Sequence, residues 1–199
     1  MKILLIGASG TIGSRIHETL SKKHHVYRAG RTGGDVGVDI TSADSIEHMY
    51  KSVADIDAVI CAAGHAKFGP FRDMTEDDLY IGIRDKMMGQ VNLVRIGQDY
   101  INDGGSFTLT TGVLADDPVV GTTALALVNG AVNSFAAAAA LELARGLRVN
   151  VVSPTVVEDS ADNYEETFPG YEPVSMKSVV AAYVRSLENP ITGRIIRVV

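Results

Sequence analysis

The chain opens on KILLIG, residues 2–7, an aliphatic run with no polar side chain after Lys2. A strand with one wet face would alternate apolar and polar positions. An unbroken run instead predicts a strand buried on both faces. The next stretch, TIGSRIHETLSKK, changes period, with Ile12, Ile16 and Leu20 recurring at helical spacing. It predicts an amphipathic helix. The two periods then alternate along the chain. HHVYRAG, DAVICAAG, GGSFTLTTG, LRVNVVSP and the terminal GRIIRVV predict strands. SADSIEHMYKSVA, DDLYIGIRDKMMGQVNLVRIGQDYI, TTALALVNGAVNSFAAAAALELARG and VSMKSVVAAYVRSLE predict helices, the first of them capped by Ser42 or Asp44. Asn129-Gly130 would signal a hairpin between strands, but its neighbours are Ala and Leu, which favour helix.

Alternation from end to end predicts an α/β fold, a parallel sheet with helices on both faces. No repeat, low-complexity tract or linker divides residues 1–199, so one domain is expected. Aromatic residues make up only 6% of the chain, so Ala, Val, Ile and Leu must build the core. The net charge of −6, with no run of Lys or Arg, argues against nucleic acid or an anionic membrane surface as partner. Cys61 is the single cysteine, which excludes an internal disulfide and suits a reducing compartment. The first apolar run is too short to span a membrane and lacks a signal-peptide cleavage region, so a cytoplasmic location is expected. No metal site is expected.

IGASGTIGSRI places Gly7, Gly10 and Gly13 between the first strand and the first helix. Such a turn lets backbone N–H groups approach a pyrophosphate, which then rests on the positive end of the helix. Ser9, Thr11 and Ile12 share the turn and are assigned to the same dinucleotide site. An NAD site usually carries an acid at the end of the second strand, for the ribose hydroxyls. Here that strand ends YRAGRTGG, with no acid and with Arg31 just beyond. Arg31 is either a solvated surface cation or the partner of the extra phosphate of NADP. The cofactor expected on this basis is NADP(H) rather than NAD(H).

With these landmarks placed, essentially the whole chain resembles the short-chain dehydrogenase/reductase family, and the resemblance implies a doubly wound, Rossmann-type sheet. Gly7 to Gly13 match the glycine turn in the spacing of the family's extended and atypical branches. VDIT, with Asp39 and Ile40, is similar to its adenine-contacting pair. CAAG, with Ala62, Ala63 and Gly64, stands where the family has Asn-Asn-Ala-Gly beside the ribose. RVNVVSPT resembles the strand ending in Pro-Gly near the nicotinamide, with Thr155 in the Gly place, and ITGRIIRVV resembles the terminal strand.

The family's catalytic tetrad is an Asn, a Ser, a Tyr and a Lys. Tyr is its acid/base, Lys lowers the Tyr pKa and holds the ribose, Ser steadies the substrate oxygen, and Asn supports a proton-relay water. Aligned on Leu125-Ala-Leu-Val-Asn129-Gly-Ala-Val-Asn-Ser-Phe135, the Tyr position holds Leu125 and the Lys position Asn129. Counting back, Gly112 takes the Ser place after Thr110 and Thr111, and Lys86 takes the Asn place. Lys and Asn have in effect exchanged helices. Lys86 either supplies positive charge to the ribose or a substrate oxyanion, or bends to solvent. By position, Lys86, Thr111 and Asn129 are the candidate catalytic residues, with Thr111 offering a hydroxyl in place of the Ser. His65, Tyr164 and Tyr171 are candidate replacement acids, the two tyrosines in the segment that forms the substrate lid in relatives. Cys61 reads as a small buried hydrophobe.

Two functions remain open. One is an NADP(H)-dependent oxidoreductase of a small substrate with a rearranged site. The other is a cofactor-binding sensor or regulatory protein without turnover. Relatives commonly pair through the two long helices flanking the catalytic strand. The alanine run 136–140 and Met87, Met88 and Val91 therefore imply a homodimer or homotetramer.

Overall fold

The structure, a computed structural model, describes residues 1–164 and 166–199, with Asn163 by its backbone alone. Among the described residues seven strands are formed: β1 Lys2–Ile6, β2 His25–Gly30, β3 Val36–Gly37, β4 Ile56–Cys61, β5 Ile101–Thr110, β6 Arg148–Pro154 and β7 Ile195–Val198. They pair in parallel throughout, in the order β3-β2-β1-β4-β5-β6-β7. The winding reverses direction between β1 and β4. Crevices for ligands open at such a switch point, beyond the carboxyl ends of the strands.

The unbroken aliphatic run of β1 has its expected cause. Leu4 and Ile6 join Val59 and Cys61 in one core, while Ile3 and Leu5 join Ala58 and Ile60 in the other. The first core is covered by α2 Ala43–Ser52, α4 Met88–Gly97 and α5 Thr123–Glu142. The second is covered by α1 Thr11–Leu20 and α6 Met176–Glu188. Ser42 rather than Asp44 caps α2, accepting from the Ser45 amide at 3.2 Å.

Three differences from the pattern have physical reasons. β3 is two residues long and carries no periodicity to read. The helix expected over 77–101 begins as α3 Glu76–Gly82, passes through a π-helical turn at Ile83–Met87, and ends as α4 at Gly97. Gly97 lies so close to Tyr50 and Phe107 that no side chain fits, and Ile101 already pairs with Ile56 as the first residue of β5. Helix α5 runs straight through Asn129-Gly130 but stops at Glu142, before the Gly at 146. Leu143 turns extended there, and Arg145 enters the left-handed region at φ 56°.

Helix α5 has the length and composition of a membrane span. It nonetheless seats Val128, Val132 and Ala136 fully in the core, and leaves Leu127, Ala137, Ala138 and Leu141 on its outer side. A buried polar lattice fixes the strand ends that carry the site. The Gln90 side chain accepts from the Thr110 amide at 2.7 Å and donates to the Thr110 carbonyl at 2.9 Å. The Thr110 hydroxyl in turn meets Tyr183 of α6 at 2.6 Å. These groups are satisfied by one another, so burying them costs little and holds β5 in register with both helix layers.

Candidate functional site

The glycine turn is shaped by two close approaches. Gly7 has φ +82°, and a side chain there would also sit 2.6 Å from the Ala62 carbonyl oxygen. A Cβ on Gly13 would overlap the Gly7 carbonyl oxygen and approach its carbon to 2.8 Å. Gly10 is less constrained. Its amide donates to the Gly7 carbonyl at 3.0 Å, and an added Cβ would keep 3.4 Å from that oxygen. The first bond of α1 runs from the Ser14 amide to the Gly10 carbonyl at 2.9 Å. No side chain caps α1 and no acid occupies its first turn. The Thr11, Ile12 and Gly13 amides at this positive end are thus left for an anion. The cradle fits a pyrophosphate.

One groove of about 310 Å³ runs from this turn past Ser9, Arg31, Ile40, Ala63 and Gly64. Arg31 makes no ion pair among the described residues. Its neighbour Arg28 is tied back by Asp35 through two bonds of 3.0 and 3.1 Å, which hold the Asp35 carboxyl down at about 2. Asp39 is committed locally: its Oδ1 accepts from the Thr41 amide and hydroxyl, which lower its pKa. Ile40 lines the groove; Asp39 does not, while Val38, Thr32, His65 and Asp85 do. Val38 and Thr32 flank residues already singled out, but Asp85 gave no sequence signal. Its Oδ1 accepts from the His65 amide at 2.9 Å, tying the strand end after β4 to the π-helical turn.

A second cavity of about 280 Å³ adjoins the same turn through Thr11 and Ile12. Lys86, Gly112, Leu125 and Asn129, the four positions the family resemblance singled out, all line it, together with Thr111 and Thr155. The sequence separated these residues widely; the fold brings them to one wall. A π-helical turn at Ile83–Met87 aims Lys86, and its stem packs across Gly64, where a Cβ would sit 2.8 Å from Lys86 Cγ. The residue is part-exposed, yet protein packed around its ammonium lowers the pKa to about 8, against a weaker opposing pull from the Asp85 carboxylate. Burial pushes the Cys61 thiol up to about 12, as befits a core residue.

Asn129 is 1% exposed, makes no side-chain hydrogen bond among the described residues, and keeps a buried Oδ1 without partner. Buried Thr155 Oγ1 is likewise unpartnered. Thr111 is less available than its position implies, since its hydroxyl donates to Asn133 Oδ1 at 3.0 Å. The replacement acids divide. His65 faces the Arg31 groove rather than this cavity. The Tyr171 hydroxyl donates to Asp117 at 2.6 Å, which raises its pKa and ties Tyr171 to the loop after β5. Tyr164 does line the cavity, stacked edge-on against Phe168. Glu165 lies outside the described residues. Among the described residues no group of three or more His, Cys, Asp or Glu could hold a metal.

Sheet order, glycine turn and the two adjoining cavities define a dinucleotide-type α/β domain with an apolar second site. Residues 11–190 match the family model described as enoyl-(acyl carrier protein) reductase. The chain belongs to the short-chain dehydrogenase/reductase family of oxidoreductases. It is similar over its full length to the protein lin1944 from Listeria innocua, at 48% identity and a TM-score of 0.98, covering 100% of both chains. A small-chain dehydrogenase in complex with NADPH is 27% identical with a TM-score of 0.87, covering 100% of this chain and 96% of that one. Hydroxynaphthalene reductase arp2 from Aspergillus fumigatus is 27% identical over 158 residues, 77% of this chain. The chain spans 57% of the length of that curated relative.

Proposed function

We propose that the protein binds NADP(H) in preference to NAD(H) and is an oxidoreductase of a small substrate whose proton-transfer apparatus has been rearranged. The observation that carries this is the pairing of a geometrically demanding phosphate cradle with a cavity in which Leu125 and Asn129 replace Tyr and Lys. When bound, the reduced nicotinamide supplies hydride. The chain's own part is to hold the pyrophosphate on α1, to read the ribose end through Arg31, and to enclose the second ligand beside Lys86. The NADPH-bound relative supports the choice of cofactor. Leu125 has no proton to give, and Thr111 has turned its own toward Asn133. Those two facts favour a second reading, a cofactor sensor without turnover. Screening NADPH consumption against aldehydes, ketones and quinones separates the two.

Arg31→Ala tests the cofactor preference. A charge-assisted hydrogen bond contributes roughly 1.5–3 kcal/mol net, so NADPH should bind about tenfold to a hundredfold more tightly than NADH, and the variant should lose that margin. Calorimetric titration with both cofactors measures it. Equal wild-type affinities, or an unchanged preference in the variant, would refute the assignment.

Assembly as a homodimer or a dimer of dimers is part of the same proposal. The outer sides of α3, α4 and α5 expose Tyr80, Ile81, Met88, Leu127 and Leu141, an apolar set on adjacent helices. Ala138 is exposed in the single chain, so Glu there is compatible with the folded monomer. Packed against a second copy, the same carboxylate would be buried and costly. Ala138→Glu should therefore convert a dimer or tetramer into a folded monomer by sedimentation velocity at micromolar concentration. A wild-type monomer of 21.1 kDa would end the idea.

A further inference from the structure

Among the described residues Lys86 is the only charged one lining the second cavity. Among those residues no acid lines it, and Lys86 makes no ion pair. Its part-exposed ammonium is crowded by protein and lacks a counter-charge, so a bound anion would find a ready partner there. Asn129 shares the wall; among the described residues its side chain makes no hydrogen bond, which leaves Nδ2 able to donate and the buried Oδ1 able to accept. Ammonium and amide N–H₂ together make a two-donor set. Phe68, Leu114, Leu125, Val157, Tyr164 and Phe168 give the cavity an apolar and aromatic body, to which Thr11, Thr111, Thr155 and Ser160 add only neutral hydroxyls.

We propose that the second ligand of this site is a small carboxylic acid with an apolar, preferably aromatic, body, its carboxylate held by Lys86 and Asn129. The inference rests on reading this cavity as the substrate side of the dinucleotide site. A neutral carbonyl compound would leave the ammonium unpaired. A phosphate or dicarboxylate would bring more negative charge than one ammonium can meet, into walls whose described residues offer no second cation. The exposed rim, where Tyr164 is 42% exposed, gives such a molecule an entrance.

The probe is benzoate, with benzamide as its neutral counterpart, titrated calorimetrically into the protein with and without saturating NADPH. Benzoate should bind at least tenfold more tightly than benzamide in both states. Lys86→Met, which keeps the apolar stem, should bring benzoate down to the level of benzamide. Benzoate affinity should be flat between the carboxyl pKa of the ligand and the free Lys86 pKa, and fall by up to about tenfold per pH unit above the latter, because the complex then takes up a proton. The other titratable groups near this ammonium are Cys61, which stays protonated up to about 12, the adjacent Asp85 carboxylate, and Tyr164 at the rim. If Lys86→Met fails to fold, the Nζ resonance of reductively ¹³C-methylated protein gives the same answer, its pKa rising on benzoate and not on benzamide. Equal binding of the two probes, indifference to Lys86→Met, an unmoved Nζ titration, or exclusion of benzoate by NADPH would each overturn the proposal. NADPH binding, followed separately by its own fluorescence, reports on the cofactor reading, so the two failures are distinguishable.

Discussion

Carbonyl reduction by the wild-type protein should be slow, and the quadruple variant Lys86→Asn, Gly112→Ser, Leu125→Tyr, Asn129→Lys should be faster by about a hundredfold to ten-thousandfold, the usual contribution of a positioned acid/base. The four positions line one cavity, so the substitutions meet there rather than scatter. Leu125 and Asn129 lie one turn apart on α5, which lets a Lys at 129 approach a phenol at 125. Without that cation the phenol would stay near its reference pKa of roughly 10 and remain a poor base at neutral pH. The Ser has room as well: a Cβ on Gly112 would lie 3.5 Å from Asn129 Nδ2 and from the Pro154 carbonyl, ordinary contact distances. Lys86 must change too. A second ammonium in the same desolvated cavity would repel the first and hold one of them neutral. Leu125→Tyr with Asn129→Lys alone is therefore expected to recover less than all four together. The measurement is NADPH consumption with standard family substrates. Wild-type rates equal to those of the variant would show that a proton donor is already in place.

How much of this site the sequence disclosed depends on the kind of signal each residue leaves. Gly7 and Gly13 were legible because strand, glycine turn and helix follow in the order a phosphate site requires, although glycines also mark ordinary strand-helix turns. The structure adds why each is needed, one against Ala62 and the other against Gly7 itself. Leu125 and Asn129 were legible only through the resemblance, since no periodicity distinguishes an active-site leucine from a core leucine. Their meeting with Lys86 and Gly112 depends on the order in which strands pair, a long-range property that local pattern does not carry. The π-helical turn under Lys86 was invisible for a related reason: five residues of IRDKM read as ordinary helix. Hydrogen-bond commitments were the least legible of all. Nothing in the sequence indicated that the Thr111 hydroxyl turns to Asn133, that Tyr171 anchors on Asp117, or that Asp39 spends its carboxylate on Thr41. Each weakens or relocates a role that position alone assigned.

The phosphate turn yields the second large effect. Gly13→Ala should remove measurable NADPH binding, a loss of at least a hundredfold, while costing the fold about 1–3 kcal/mol, the usual range for overpacking. Alanine is the better helix former in isolation, by about 1 kcal/mol. Position 13 lies in the first turn of α1, so propensity alone predicts stabilisation. Sterics reverse the sign, because the added methyl overlaps the carbonyl of Gly7 and comes within 3.0 Å of Ala8 Cα. Neither neighbour is a flexible side chain that can swing aside. The backbone of the turn must move, and the amides that would face the pyrophosphate move with it. Gly37→Ala is the control, a glycine with nothing within 4 Å of its added Cβ and a residue on the edge strand β3. That variant should bind NADPH as the wild type does and melt no lower. Fluorescence titration and thermal melts of the three proteins decide the matter. Retention of NADPH affinity in Gly13→Ala would place the pyrophosphate somewhere other than the start of α1.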